Sequence, residues 1–247
     1  MDSMPTLIEV AAIFVLAGFV KGIVGLGLPT VAIGLLGLMM TPAQAAALLV
    51  VPSLLTNIWQ SAAGPVLVRL LRRLWPMFLG ICLTTWMTAS ILTGANSGRA
   101  RIVLGIALVI YAALGLSKIK FSVPPRAEIW LCPLVGFATG LVTGATGIFA
   151  LPAVPYLQAL GLQKDELVQA LGLSFTVATA ALAVALMDSG VLHLAAMKVS
   201  SLALVAALVG MVIGQKLRDR VSPETFSFYF LLGLLLLGGH LALSGIF

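Results

Sequence analysis

Gly18-Phe-Val-Lys21-Gly22-Ile-Val-Gly25-Leu-Gly27-Leu-Pro29 and Gly136-Phe-Ala-Thr-Gly140-Leu-Val-Thr-Gly144-Ala-Thr146-Gly147-Ile-Phe-Ala-Leu-Pro152 are two copies of one pattern. Each is an apolar segment interrupted by glycines, with a second apolar segment restarting near a proline. The shared Gly-Phe-x-x-Gly recurs at a separation of 118, whereas the following segments, Gln44 to Trp59 and Glu166 to Ala181, align at 122. An internal duplication with about four extra residues in the second break explains both offsets. Backbone groups freed by glycine or proline at membrane depth must be buried in protein or line a polar cavity. Paired interruptions in two halves therefore point to a transporter's binding site.

The composition places that pattern in a bilayer. Hydrophobic residues make up 61% of the 247 and charged residues only 9%, against about 25% charged in soluble domains. The chain has room for about eight spans of some 20 residues, and so reads as a single membrane domain over 1–247, multi-pass in the inner or plasma membrane. The net charge of +6 falls in short loops, as positive-inside topology requires, and does not indicate nucleic acid. The N-terminus carries two acids and no base, unlike a secretory signal, so the first apolar run is expected to be retained. Cys82 and Cys132 sit in apolar segments without metal-ligand spacing and read as packing residues.

The apolar segments run over 6–24, 28–40, 43–63, 75–93, 101–117, 128–143, 148–161, 166–187, 195–214 and 225–246. Those at 28–40 and 148–161 are too short to cross, since 13 helical residues rise about 20 Å against a core of about 30 Å. If each broken segment is one crossing, the loop bases divide seven to six between the two sides. If each is a hairpin, they divide ten to three, with Arg99, Arg101 and Lys198 on the minority side. The positive-inside rule selects the hairpins. This predicts an all-α polytopic membrane protein of two inverted structural repeats, about 5–118 and about 127–246, each a broken or re-entrant helical hairpin plus three transmembrane helices. The loops near Arg72, Arg126 and Arg218 then face the cytoplasm and Ser97 faces outward.

Polar residues inside apolar segments are costly in lipid and mark candidate paths. Pro52, Thr56, Asn57 and Gln60 follow the first break, while Gln169, Ser174, Thr176 and Thr179 follow the second; Asn57 and Thr179 coincide at the offset of 122. Interhelical hydrogen bonding is the competing role for each. Gly18/Gly22, Gly136/Gly140/Gly144 and Gly210/Gly214 have the spacing of helix-packing seams, with a homodimer seam at Gly210 and Gly214 as the alternative to internal packing. His193 and His240 are isolated. No metal site, cofactor motif, P-loop or nucleophile-base pair is present, so an enzyme is not expected and any coupling should come from a proton or ion gradient.

The duplicated Gly-Phe-x-x-Gly with its glycine-rich break, the prolines after it, the small-residue helix that follows and the length near 250 together resemble the TauE/SafE family of sulfite exporters, also called the sulfonate uptake permeases. The resemblance covers nearly the whole chain. It implies a permease for small organosulfur or carboxylate anions such as sulfite, sulfoacetate or taurine-related sulfonates. A passive channel or a non-transporting assembly subunit is the alternative from another class.

The anion site is expected between the two breaks, where restarting helices expose free N–H groups and positive dipole ends. Its candidate residues are Lys21, Gly25, Gly27, Asn57, Gly144, Thr146, Gly147, Thr176 and Thr179. The two tips are expected to meet near the midplane. Lys21, one turn before Gly25, should either contact the anion or snorkel to the nearer interface.

Overall fold

In the computed structural model, residues 7–94, 97–117, 119, 122–220 and 222–245 are described. The loop bases Lys118 and Lys120 and the outermost residues of the two repeat segments lie outside them. The described residues form helices α1 (Leu7–Val24), α2 (Leu28–Leu36), α3 (Pro42–Ala62), α4 (Leu67–Thr93), α5 (Ser97–Leu116), α6 (Pro125–Thr146), α7 (Ala153–Ala159), α8 (Lys164–Asp188), α9 (Leu194–Leu217) and α10 (Pro223–Ser244), with a 3₁₀ turn at Arg218–Arg220. Eight of the ten are long and apolar enough to cross a membrane; α2 and α7 are the exceptions.

The sequence period is repeated in the helix ends. Gly25 and Gly27 end α1 with φ of 83° and 101°, and Gly147 ends α6 at 76°, conformations that favour glycine. Sixteen residues after Gly25 and sixteen after Gly147, each half starts its next long helix with a capping box, Thr41 with Gln44 and Gln163 with Glu166. These boxes are 122 residues apart, the offset read from the sequence. They satisfy first-turn N–H groups that lipid could not.

Packing follows the same period. Helix α1 packs along α9 as α6 packs along α4, while α3 meets α8 and α5 meets α10. The register of close approaches gives their directions. Gly18 lies against Ala207 and Gly22 against Met211 and Gly214, so α1 and α9 run parallel. Gly136 lies against Met77, Gly140 against Ile81 and Gly144 against Thr85, so α6 and α4 run parallel as well. In contrast Gly105 meets Ala242, Gly115 meets Leu231 and Gly245 meets Ile102, so α5 and α10 are antiparallel. Gly172 beside Asn57 and Ser61, with Gln60 bonded to the carbonyl of Val168, makes α3 and α8 antiparallel too. The face of Gly210 and Gly214 is occupied by Val15, Phe19 and Gly22 of α1, so that seam is internal to the chain and is not the surface of a homodimer.

Helix α3 contains Pro52, which has no N–H to bond the carbonyl of Leu48. Ser200 of α9 supplies the missing donor. Its hydroxyl donates to Leu48 O at 2.7 Å and accepts from Val51 N at 3.1 Å. At one end of the bundle Arg69 pairs with Glu166, and Arg73 pairs with Glu128 through both carboxylate oxygens at 2.5 and 2.8 Å. These ties bring the starts of α4, α6 and α8 together. They also explain why α4 begins at Leu67, eight residues before the apolar run at Trp75: its first two turns are basic and paired rather than lipid-facing.

Candidate anion site

One face of α3, just after Pro52, meets Lys21 of α1. On that face Ser53, Thr56 and Asn57 are 0%, 4% and 1% exposed, and Lys21 reaches them from α1 while itself only 7% exposed. The Lys21 ammonium donates to Thr56 Oγ1 at 3.0 Å and to Asn57 Oδ1 at 2.5 Å. Thr56 in turn donates to Pro52 O at 2.7 Å. Among the described residues Lys21 has no carboxylate partner; the two ion pairs both involve arginines of α4.

Magnitudes decide what this arrangement does. Placing a lysine at the centre of a membrane helix costs about 2.5–3.5 kcal/mol on insertion scales, and each hydrogen bond from a charged group to a neutral oxygen returns about 1.5–3 kcal/mol. Two such bonds hold the ammonium in place. They do not neutralise it. The side chain turns inward to α3, where it is 7% exposed. Among the described residues, the side-chain partners of the Lys21 amine are neutral oxygens.

The donors around it are also incompletely used. Asn57 Nδ2 and Ser53 Oγ are buried with no hydrogen-bond partner. Such orphan groups are uncommon, and each calls for an explanation such as a ligand. The sequence reading found Lys21 and Asn57 but missed Ser53, although Ser53 lies four residues before Asn57 and hence on its face.

The other sequence candidates are distributed differently. Gly144 is a packing residue, where an added Cβ would lie 2.2 Å from Thr88 Oγ1 and 2.4 Å from Thr85 O of α4. Thr146 closes its own break, donating to Val142 O at 2.7 Å and accepting from Ile148 N at 3.0 Å, while Gly147 N is bonded to Thr143 O. Thr176 and Thr179 donate to the carbonyls of Gly172 and Phe175 within α8, each at 2.7 Å. No hydrogen bond among the described residues joins them to Lys21 or Asn57. The amides of the second break at Gly147 and Ile148 are thus already used within the chain, and α7, with only seven residues, offers a weak dipole.

Helices α1 and α6 have 18 and 22 residues before their breaks, lengths of about 27 and 33 Å that cross most of the hydrocarbon core. Gly147 then meets Ile33 of α2 and Ala46 of α3, and Gly27 meets Val20 and Phe230. Gly25 has nothing within 4 Å of an added Cβ. Beside it, Val24 and Leu26 line a cavity of about 520 Å³ whose other walls include Tyr111 and Gly115 of α5, Val154, Pro155 and Gln158 of α7, and Phe230 of α10. The cavity starts one helical turn from Lys21, whose carbonyl accepts from Gly25 N at 2.8 Å.

The family model for sulfite exporter TauE/SafE matches residues 10–241, a span that contains both breaks, the Lys21 cluster and the cavity. No curated protein and no solved structure gives a significant match.

Proposed function

The chain belongs to the TauE/SafE sulfite exporter family, whose members are membrane transporters of sulfur anions, and on that premise we propose that it is a secondary permease for small organosulfur or carboxylate anions bound at Lys21. The observation that carries this reading is the buried Lys21 side chain, held by Thr56 and Asn57 and with no carboxylate partner among the described residues. An anion entering there gains a charge-assisted contact in a low dielectric. The protein needs no resident cofactor for this task.

The two halves act as inverted repeats that exchange access. The antiparallel pairing of α3 with α8 and of α5 with α10, each helix with its own repeat counterpart, supports the inversion. An asymmetry supports the exchange. Gly147 rests on Ile33, and residues 122 positions from that pair by repeat arithmetic are Gly25 and Pro155. Pro155 stands across the cavity from Gly25's neighbours Val24 and Leu26. One break is therefore sealed, with Ile148 and Phe149 fully buried and Phe149 against Phe175 at 5.1 Å, while its counterpart is open. The open side lies at the ends of α5 and α7 and the start of α10, beside the basic loops that positive-inside topology assigns to the cytoplasm. Cargo reaches Lys21 from that side, and rocking of one repeat against the other would close the first break and open the second.

Reconstituted in liposomes, the protein should take up sulfite or a small sulfonate with saturable kinetics and mutual competition. Linear, unselective flux would support a passive channel, and no flux would support an assembly subunit. The inversion is checked by labelling single cysteines with an impermeant reagent: positions beside Arg72 and Arg218 should react from one face and Gly94 from the other. Reaction of the first two from opposite faces would restore a parallel arrangement.

A further inference from the structure

The cavity beside the first break is larger and more apolar than a small anion needs. It holds about 520 Å³, within the range of pockets that enclose whole organic ligands, whereas sulfite is a single sulfur with its oxygens. Leu26, Leu114, Val154, Phe230 and Leu231 are among its walls, and no residue lining it carries a charge. Its polar side chains are those of Tyr111, Gln158 and Ser227, too few to replace the water of a hydrated anion throughout that volume. Val24, which lines the cavity, lies three residues after Lys21 and hence on the same face of α1. Apolar volume therefore begins one turn, about 4.5 Å along the helix, from the residue that carries the buried amine.

We propose that this cavity takes the apolar tail of an amphiphilic anion whose head is held at Lys21, so that the cargo the site fits best is an unbranched, medium-length hydrocarbon chain ending in one oxyanion group. This rests on the reading that Lys21 holds the transported anion, and adds what lies beyond the head group. Each methylene moved from water onto apolar walls contributes a similar increment, while the contact between head and amine stays the same whatever the tail. Affinity should therefore climb with chain length until the cavity is full and then stop climbing. A sulfite-sized anion would bind through the head contact alone and leave the walls of the cavity unused.

The test is thermal stabilisation of the purified full-length protein in lipid nanodiscs by the unbranched alkanesulfonates from methanesulfonate to octanesulfonate, which keep one head group and one charge throughout. Wild-type affinity should rise about fourfold per added methylene, the factor for burying one, and level off within the series. Ser227→Phe places a ring in the cavity from a half-buried position of α10. It should flatten the rise while methanesulfonate binds as in the wild type. Gln158→Phe narrows the cavity from an exposed position of α7 and serves if the first variant does not fold. A flat series in the wild type, with methanesulfonate still bound, would overturn the tail site and leave the permease reading standing. An equal rise in the wild type and a folded variant would mean that the chains act through the lipid, and would overturn it as well. Stabilisation by no member of the series, nor by sulfite, would remove the anion site at Lys21 and the tail site with it.

Discussion

Lys21→Met is expected to lower anion affinity by roughly 10²–10³-fold and to abolish measurable uptake, while the variant folds as well as the wild type. The two halves of that expectation have separate origins. Methionine has nearly the length of lysine and fills the same apolar path along α1, where Val20 and Ile23 are already buried. Replacing a buried charge by an apolar side chain of similar volume is often neutral or stabilising, so folded yield and the ligand-free melting temperature should hold. Binding behaves differently, because an anion in the cluster would then be a buried charge without its partner. Losing one member of such a pair costs about 3–5 kcal/mol, and 1.4 kcal/mol is a factor of ten. An intact variant with wild-type uptake would show that the ammonium serves only to tie α1 to α3. Asn57→Leu separates the same roles from the other side, since it removes both a ligand of Lys21 and a free donor.

The second large effect concerns folding. Gly18→Val should leave little or no folded protein. An added Cβ at Gly18 would lie 2.0 Å from Ala207 O and 2.8 Å from Ala207 C, so the obstacle is backbone and no rotamer change relieves it. Helix α9 would have to move off α1 along their whole seam, because Gly210 in turn lies against Val15 O. Overpacking a core costs about 1–3 kcal/mol when side chains can yield; here they cannot, and association of helices in lipid depends on this close packing. Gly233→Ala is the control. Nothing lies within 4 Å of its added Cβ, and alanine is the better helix former by about 1 kcal/mol. Size-exclusion profiles of the two variants in detergent would decide it, and a monodisperse Gly18→Val protein with wild-type stability would contradict the parallel α1–α9 seam.

The elements were legible because their punctuation is local. Glycine at positive φ, proline near helix starts and a capping residue three before its partner act over a few residues, and they recur at 118–122, so the breaks at Gly25, Gly27 and Gly147 and all ten helices could be read from the sequence. The site was only half legible. Lys21 announces itself as a charge within an apolar run, but its partners lie 35 and 36 residues away. The carbonyl that Pro52 leaves without its helical donor is met by Ser200, about 150 residues from Leu48 and Val51, which no local pattern marks.

Repeat symmetry does not by itself give proximity. Asn57 and Thr179 occupy equivalent positions, yet α3 and α8 cross antiparallel with Asn57 beside Gly172, and the seven residues from Gly172 to Thr179 rise about 10 Å along α8. Equivalent residues in an antiparallel pair coincide only at the crossing point. Away from it, symmetry separates them.

Anomalous diffraction from crystals grown with selenate, an oxyanion with the geometry of sulfate, locates the ligand without relying on any variant's behaviour. The account predicts a selenium peak with oxygens about 3 Å from Lys21 Nζ and Asn57 Nδ2, and no such peak in Lys21→Met crystals. A peak at Gly147 or elsewhere in the bundle, with the Lys21 cluster empty, would contradict it.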